Sequence, residues 1–231
     1  MEVSCNFGGF YCQLWSKSLS VGSVIKALFL IVRPSEEWER ILETHHSVRF
    51  LVVRFLLPMM LLAAGAEGFG MVTWGKPQSV MHRMQKFTVS EAVIYELARI
   101  LMTFMIIVSC AVLIKVFGGT FHGRHTYRQT FTLVIFGLSP LFLFRVLDAA
   151  PILSPWLTWG FGVAFCTEVL YQGVPRVMEP DPPNAFGLYV MSSLVLVATT
   201  GLERFVTAWY LAGRMRPIQA ILDDLLGRLP G

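Results

Sequence analysis

Charged side chains are scarce in this sequence: Asp, Glu, Lys and Arg make up 15% of its 231 residues, against 55% hydrophobic residues. Soluble domains carry about 25% charged residues, so the balance excludes an ordinary water-soluble fold and assigns the chain to the membrane. Cysteine is equally sparing. Cys5, Cys12, Cys110 and Cys166 form no CxxC pair and no ligand spacing, and two of them fall inside apolar runs. That excludes a disulfide framework and leaves them as small apolar fillers. The first residues lack a charged n-region and a small-residue cleavage site, so a cleaved signal peptide is not expected. Signatures of catalysis are missing as well: there is no Walker loop, GxSxG or HExxH, and no apolar run holds a His that could serve Ser139 or Cys166 as a base. Neither an enzyme nor a bound cofactor is expected. The formal charge is only +4, and the basic residues sit beside hydrophobic runs. This fits anionic lipid headgroups and argues against nucleic acid as a partner.

What the sequence does have is length in its apolar runs. Five of them, at 48–71, 91–117, 127–148, 156–178 and 185–211, predict an all-α polytopic membrane bundle of five transmembrane helices. An amphipathic in-plane helix is expected on either side. Residues 1–47 read as an N-terminal interfacial segment, 48–212 as the membrane domain and 213–231 as a C-terminal amphipathic helix. In the N-terminal segment the apolar stripe is Val21, Val24, Ile25, Leu28, Ile31 and Val32, on a helix too short to cross upright. Trp38 suits the headgroup level. In the tail, Ile218, Ile221, Leu222, Leu225 and Leu226 follow helical spacing after Pro217. Between the first two spans, Met81, Met84 and Phe87 suggest a short surface helix, and Thr88-x-x-Glu91 reads as a capping box. Pro58, Pro140 and Pro175 are expected to kink their helices. The first two withhold the donor that the carbonyls of Arg54 and Phe136 would otherwise receive.

The few charges inside these runs carry the most information. With alternating spans, Glu67, Glu96, Arg99, Arg145, Asp148, Glu203 and Arg204 all fall in the same outer half of the membrane. Four acids against three bases nearly neutralise one another. The arrangement reads as a buried ion-pair network fixing helix packing, or alternatively as a polar cavity open to a lipid headgroup, ion or small solute. Glu168 lies deeper, near the middle of the fourth run. A carboxylate there costs about 2.5–3.5 kcal/mol, so it is expected to face the protein interior, pairing with Arg99 or donating to a proline-freed carbonyl. No metal site is expected: His45 and His46 point apart on a helix, and His122-x-x-His125 has no acid or Cys beside it. A small excess of Lys and Arg favours a cytoplasmic N-terminus.

Several short motifs, taken in order, carry a resemblance. They are Pro34-x-x-x-Trp38, the FGGT of 117–120 before Tyr127-Arg128-Gln129, Ser139-Pro140 in the third span, and Tyr171, Gly173, Pro175, Arg176 and Met178 closing the fourth. Over about residues 30–212 the chain resembles the YIP family (Ypt/Rab-interacting proteins) in its bacterial five-span branch. The FHGRH stretch after Thr120 departs from the shorter loop of that pattern. The resemblance implies five spans in the bacterial inner membrane, a cytoplasmic N-terminus, and a non-catalytic accessory or organising subunit of a membrane assembly. Its partner would be another membrane protein or further copies of itself. The alternative is a small oligomeric transporter or channel subunit with a polar cavity in the outer half of the membrane.

Overall fold

Inside a bilayer the backbone has no water to bond to, so a chain this apolar satisfies its peptide groups within helices. The computed structural model describes residues 19–44, 47–78, 83–121 and 125–211. The expectations for the C-terminal amphipathic helix, for His45-His46 and for His122 fall outside the described residues. Two short helices, α1 (Leu19–Val32) and α2 (Pro34–Glu43), lead into α3 (Val48–Thr73). Strands β1 (Lys76–Gln78) and β2 (Arg83–Gln85) follow, then α4 (Val89–Thr120), α5 (Tyr127–Gly137) and α6 (Ser139–Val146). The last two long helices are α7 (Pro155–Met178) and α8 (Ala185–Leu211).

Four stretches are long and apolar enough to cross a membrane: α3, α4, the α5–α6 pair through Ala149, and Pro182–Leu211. Their outward faces match that role. On α4 the exposed side carries Val93, Leu97, Leu101, Met105, Val112 and Val116, spaced as one helical stripe. The fifth run forms α7, whose 24 residues extend about 36 Å. Glu168, Gln172 and Arg176 leave it less apolar than the other four.

The prolines act through the carbonyls they deprive of a donor. Ahead of Pro58 the chain widens into a π turn at Val52–Leu56, and the Arg54 carbonyl accepts from Ser23 Oγ of α1 at 2.9 Å. That bond fastens α1 to the first span, turning Ser23, Ala27 and Leu30 inward. The inward face is therefore not the apolar stripe read from the sequence. Leu28 and Val32, both part of that stripe, are exposed. A hydrogen bond and a small residue permit closer approach than the bulkier side would. At Pro140 the helix breaks at Leu138, and Ser139 Oγ donates to the orphaned Phe136 carbonyl at 2.7 Å. Around Pro175, α7 stays helical to Met178 and ends at Glu179 in left-handed backbone, φ 43°.

Two further expectations are corrected. The segment holding Met84 is a strand, not a surface helix: β1 and β2 pair antiparallel with Lys76 opposite Gln85, Pro77 opposite Met84 and Gln78 opposite Arg83. Pro77 cannot sit in a helix interior, and an extended pair uses it without loss. Trp38 is not at a headgroup surface but fully buried, donating through Nε1 to the Val169 carbonyl of α7 at 3.1 Å. Its ring lies over Gly173, where an added Cβ would come within 2.6 Å. Gly118 does the same for His125, whose Nε2 lies 3.2 Å from the Lys115 carbonyl. The expected capping box of Thr88 with Glu91 is present, and a second one, Thr126 with Gln129, opens α5.

Gly173→Ala is expected to destabilise the protein by about 1–3 kcal/mol through overpacking against Trp38. Thermal unfolding in detergent and a red shift of Trp38 emission measure it. Gly160→Ala, on the same helix with nothing within 4 Å of the new Cβ, serves as the control without loss.

Candidate functional site

A carboxylate with no accessible surface sits near the end of α3. Glu67 is 0% exposed, and three bases converge on it. Lys76, just past the helix, and Arg99, from the first third of α4, donate to its two oxygens. Arg145, late in α6, donates through Nε at 2.9 Å and sends Nη2 to Glu96 at 2.7 Å. Arg99 Nε lies 3.7 Å from Glu203 Oε1 on α8, which Thr103 Oγ1 also meets at 2.8 Å. A second cluster adjoins the first. Arg204 Nη2 reaches Asp148 at 2.8 Å and its Nε donates to the Pro155 carbonyl at 3.1 Å, while Thr158 donates to the other Asp148 oxygen. Tyr95 lies over both Lys76 and Arg99, about 6 Å from each charge by the distances 6.0 and 5.9 Å.

Helix placement explains the convergence. Alternating directions bring the end of α3, the start of α4, the end of α6, the start of α7 and the end of α8 to one end of the bundle. Seven of the eight charged residues singled out in the sequence meet there: Glu67, Glu96, Arg99, Arg145, Asp148, Glu203 and Arg204. Lys76 was missed because it lies in a connecting segment. Its signal was the arithmetic: four acids set against three bases left one negative charge uncompensated. With Lys76 the set holds four of each sign. Burial pushes the Lys76 ammonium below the usual lysine range, more than Glu67 beside it restores.

Glu168 is not part of this network. It is exposed on the outer side of α7 in line with Leu157, Phe161, Ala164 and Tyr171, and has no polar partner among the described residues. The expected inward placement fails because packing, not the cost of one carboxylate, sets the helix face. The opposite arc carries Gly162, Cys166, Val169, Gly173 and Val177, which fit against α2, α5 and α6.

Between the two clusters lies a cavity of about 40 Å³, lined by Arg99, Thr103, Arg145, Asp148, Glu203 and Arg204 among others. Buried without a hydrogen-bond partner are Arg99 Nε, Arg145 Nη1, Glu96 Oε1 and Tyr95 OH. The described residues include no group of three His, Cys, Asp or Glu arranged around a metal position. Ser139 spends its hydroxyl on the Phe136 carbonyl, and Cys166 is buried in apolar packing. Charge-assisted bonds from α3, β1, α4, α6, α7 and α8 tie the helices together at this end.

Glu67→Gln takes from Lys76 its ion-pair partner and leaves Arg99 and Arg145 with one acid each, Glu203 and Glu96, and a loss of about 3–5 kcal/mol is expected. Lys76→Met, which leaves Glu67 both guanidinium partners, is expected to cost less. Thermal unfolding of the two variants side by side tests the order.

A family model described as the Yip1 domain matches residues 28–202, well over half of the chain. The match takes in Trp38, Gly173 and the network as far as Asp148, and stops one residue before Glu203. No curated protein and no solved structure matches the chain.

Proposed function

The chain belongs to the Yip1 domain family, and from that premise we propose that it is a five-span, non-catalytic protein of the bacterial inner membrane that organises or accompanies another membrane assembly. The fifth crossing is α7. Asp148, past α6, and Arg204, late in α8, are bonded to each other and to Pro155 at the start of α7. α8 therefore begins at the far end of the bundle, some 19 residues and roughly 28 Å from Arg204, and α7 carries the chain there. This supports an odd number of crossings. The termini then lie on opposite sides, the N-terminus in the cytoplasm and the charged network in the outer half. α1, at 14 residues, is too short to cross and lies against the bundle.

The observation that carries the accessory reading is the internal matching of charge. Acid is matched to base within the bundle, around a cavity of about 40 Å³, roughly the size of one or two waters. So small a space between the charged clusters leaves little room for a solute, which favours the accessory reading over the transporter alternative. The outer surface, in contrast, presents the Glu168 carboxylate among apolar side chains. Contact with another polypeptide in the membrane relieves that exposure.

Purification in mild detergent is expected to retain a membrane-protein partner, or further copies of this chain, in fixed stoichiometry; a lone monomer would overturn the reading. Tags on the two termini are expected on opposite sides of the membrane, and tags on one side would remove the fifth crossing. Liposomes carrying the protein are expected to show no proton or solute flux above empty ones, with Glu168→Gln unchanged.

A further inference from the structure

We propose that the outward face of α7 docks a membrane-spanning helix of another protein, one that presents a lysine or arginine at the middle of the bilayer. The proposal rests on the accessory reading and names the kind of partner that reading calls for. Glu168 stands roughly 20 Å along α7 from Pro155 and about 15 Å short of Met178, so its carboxylate falls deep in the hydrocarbon. Each other acid inside the spans has a base beside it: Glu67 has Lys76, Arg99 and Arg145, Glu96 has Arg145, Asp148 has Arg204 and Glu203 has Arg99. Glu168 is exposed and has no such base among the described residues. A carboxylate only accepts, and in lipid no water is at hand to donate to it. A basic side chain supplies both the donors and the opposite charge.

The surface beside Glu168 suits close approach. Gly160, Ala164 and Glu168 lie at i, i+4 and i+8 along one row of α7, and all three are exposed. A Cβ added at Gly160 would meet nothing within 4 Å. Small residues on such a row let the backbone of a second helix come near, which brings its side chains within reach of the carboxylate. Leu157, Phe161 and Tyr171 flank the row with exposed apolar surface. A second copy of this chain does not complement it. A two-fold contact over the row sets Glu168 against Glu168. Any other pairing needs an exposed base at the same depth, and the described spans offer none. Arg99, Arg145 and Arg204 are buried in the network. Arg49, Arg54, Lys115, Arg128 and Arg176 all lie within about two turns of the helix ends away from it.

The test places the full-length protein, with a donor fluorophore at its N-terminus, in phosphatidylcholine vesicles with acceptor-labelled polyleucine transmembrane peptides. One peptide has a central arginine, another a central leucine and a third a central glutamate. Energy transfer to the arginine peptide is expected to exceed that to the leucine peptide several-fold. It is expected to fall to the leucine level in Glu168→Gln and in Gly160→Leu. Glu168→Lys is expected to reverse the preference and select the glutamate peptide. Glu168 bonds to none of the described residues and Gly160 faces open space, so Glu168→Gln and Gly160→Leu are expected to keep the Tm of the unaltered protein in detergent. Equal transfer to the arginine and leucine peptides would overturn the proposal, as would arginine binding that survives Glu168→Gln or Gly160→Leu. So would a Glu168→Lys protein indifferent to the glutamate peptide. Glu168-dependent transfer between donor- and acceptor-labelled copies of this chain would give the face to a second copy and overturn it too. In mild-detergent purification, a stoichiometric partner held equally by the unaltered protein and by Glu168→Gln would overturn this proposal and leave the accessory reading standing. A lone monomer overturns that reading itself. Should Gly160→Leu fail to fold, Glu168→Gln with the arginine and leucine peptides still decides.

Discussion

A fully buried carboxylate inside a membrane bundle is tolerable only if charge of the other sign surrounds it, and Glu67 meets that condition with Lys76, Arg99 and Arg145. Each of those bases would be as costly alone as the acid. The helices that carry them are consequently held to one relative height. Shifting α4 by one turn would move Arg99 about 5.4 Å and separate it from both Glu67 and Glu203. Apolar surfaces in lipid give little such discrimination, because hydrocarbon solvates Leu or Val on any face equally well. The register of the bundle thus rests on a few polar contacts gathered at one end.

Two of the backbone carbonyls that prolines deprive of a donor are met in a complementary way. Two prolines interrupt spans, and each orphaned carbonyl receives a serine hydroxyl: Ser23 from a neighbouring helix for Arg54, Ser139 from the same helix for Phe136. The first solution also explains why α1 lies where it does, since its serine has a fixed address on α3. Small residues permit the remaining close approaches. Gly173 leaves room for the Trp38 ring, so the two ends of the family resemblance, one before the first span and one closing α7, are a single contact in space.

How much of this was legible in the sequence depended on the kind of signal. The apolar runs and the Thr88–Glu91 capping box are local, and residues a few positions apart disclose them. The convergence of Glu67, Glu96, Arg99, Arg145, Asp148, Glu203 and Arg204 followed from topology alone, because alternating spans bring such positions to one end. Facing was not legible. Glu168 was assigned inward from the cost of its charge, yet the small and β-branched residues on the opposite arc of α7 determined the packed side. Trp38 gave the same lesson in reverse: an aromatic typical of headgroups was taken into the core because a glycine, 135 positions later in the numbering, had space for it. Lys76 escaped because a connecting segment carries no periodicity to say which way a side chain turns.

The Trp38 contact has a bearing on how the protein is made. Its acceptor, Val169, follows it by 131 residues, so the indole has nowhere to dock while the first three spans leave the ribosome. At about 5–20 residues per second, that interval lasts on the order of ten seconds. During biogenesis the N-terminal helices must wait on the membrane surface or be shielded there, and the arrival of α7 is the event that latches the beginning of the chain to its middle.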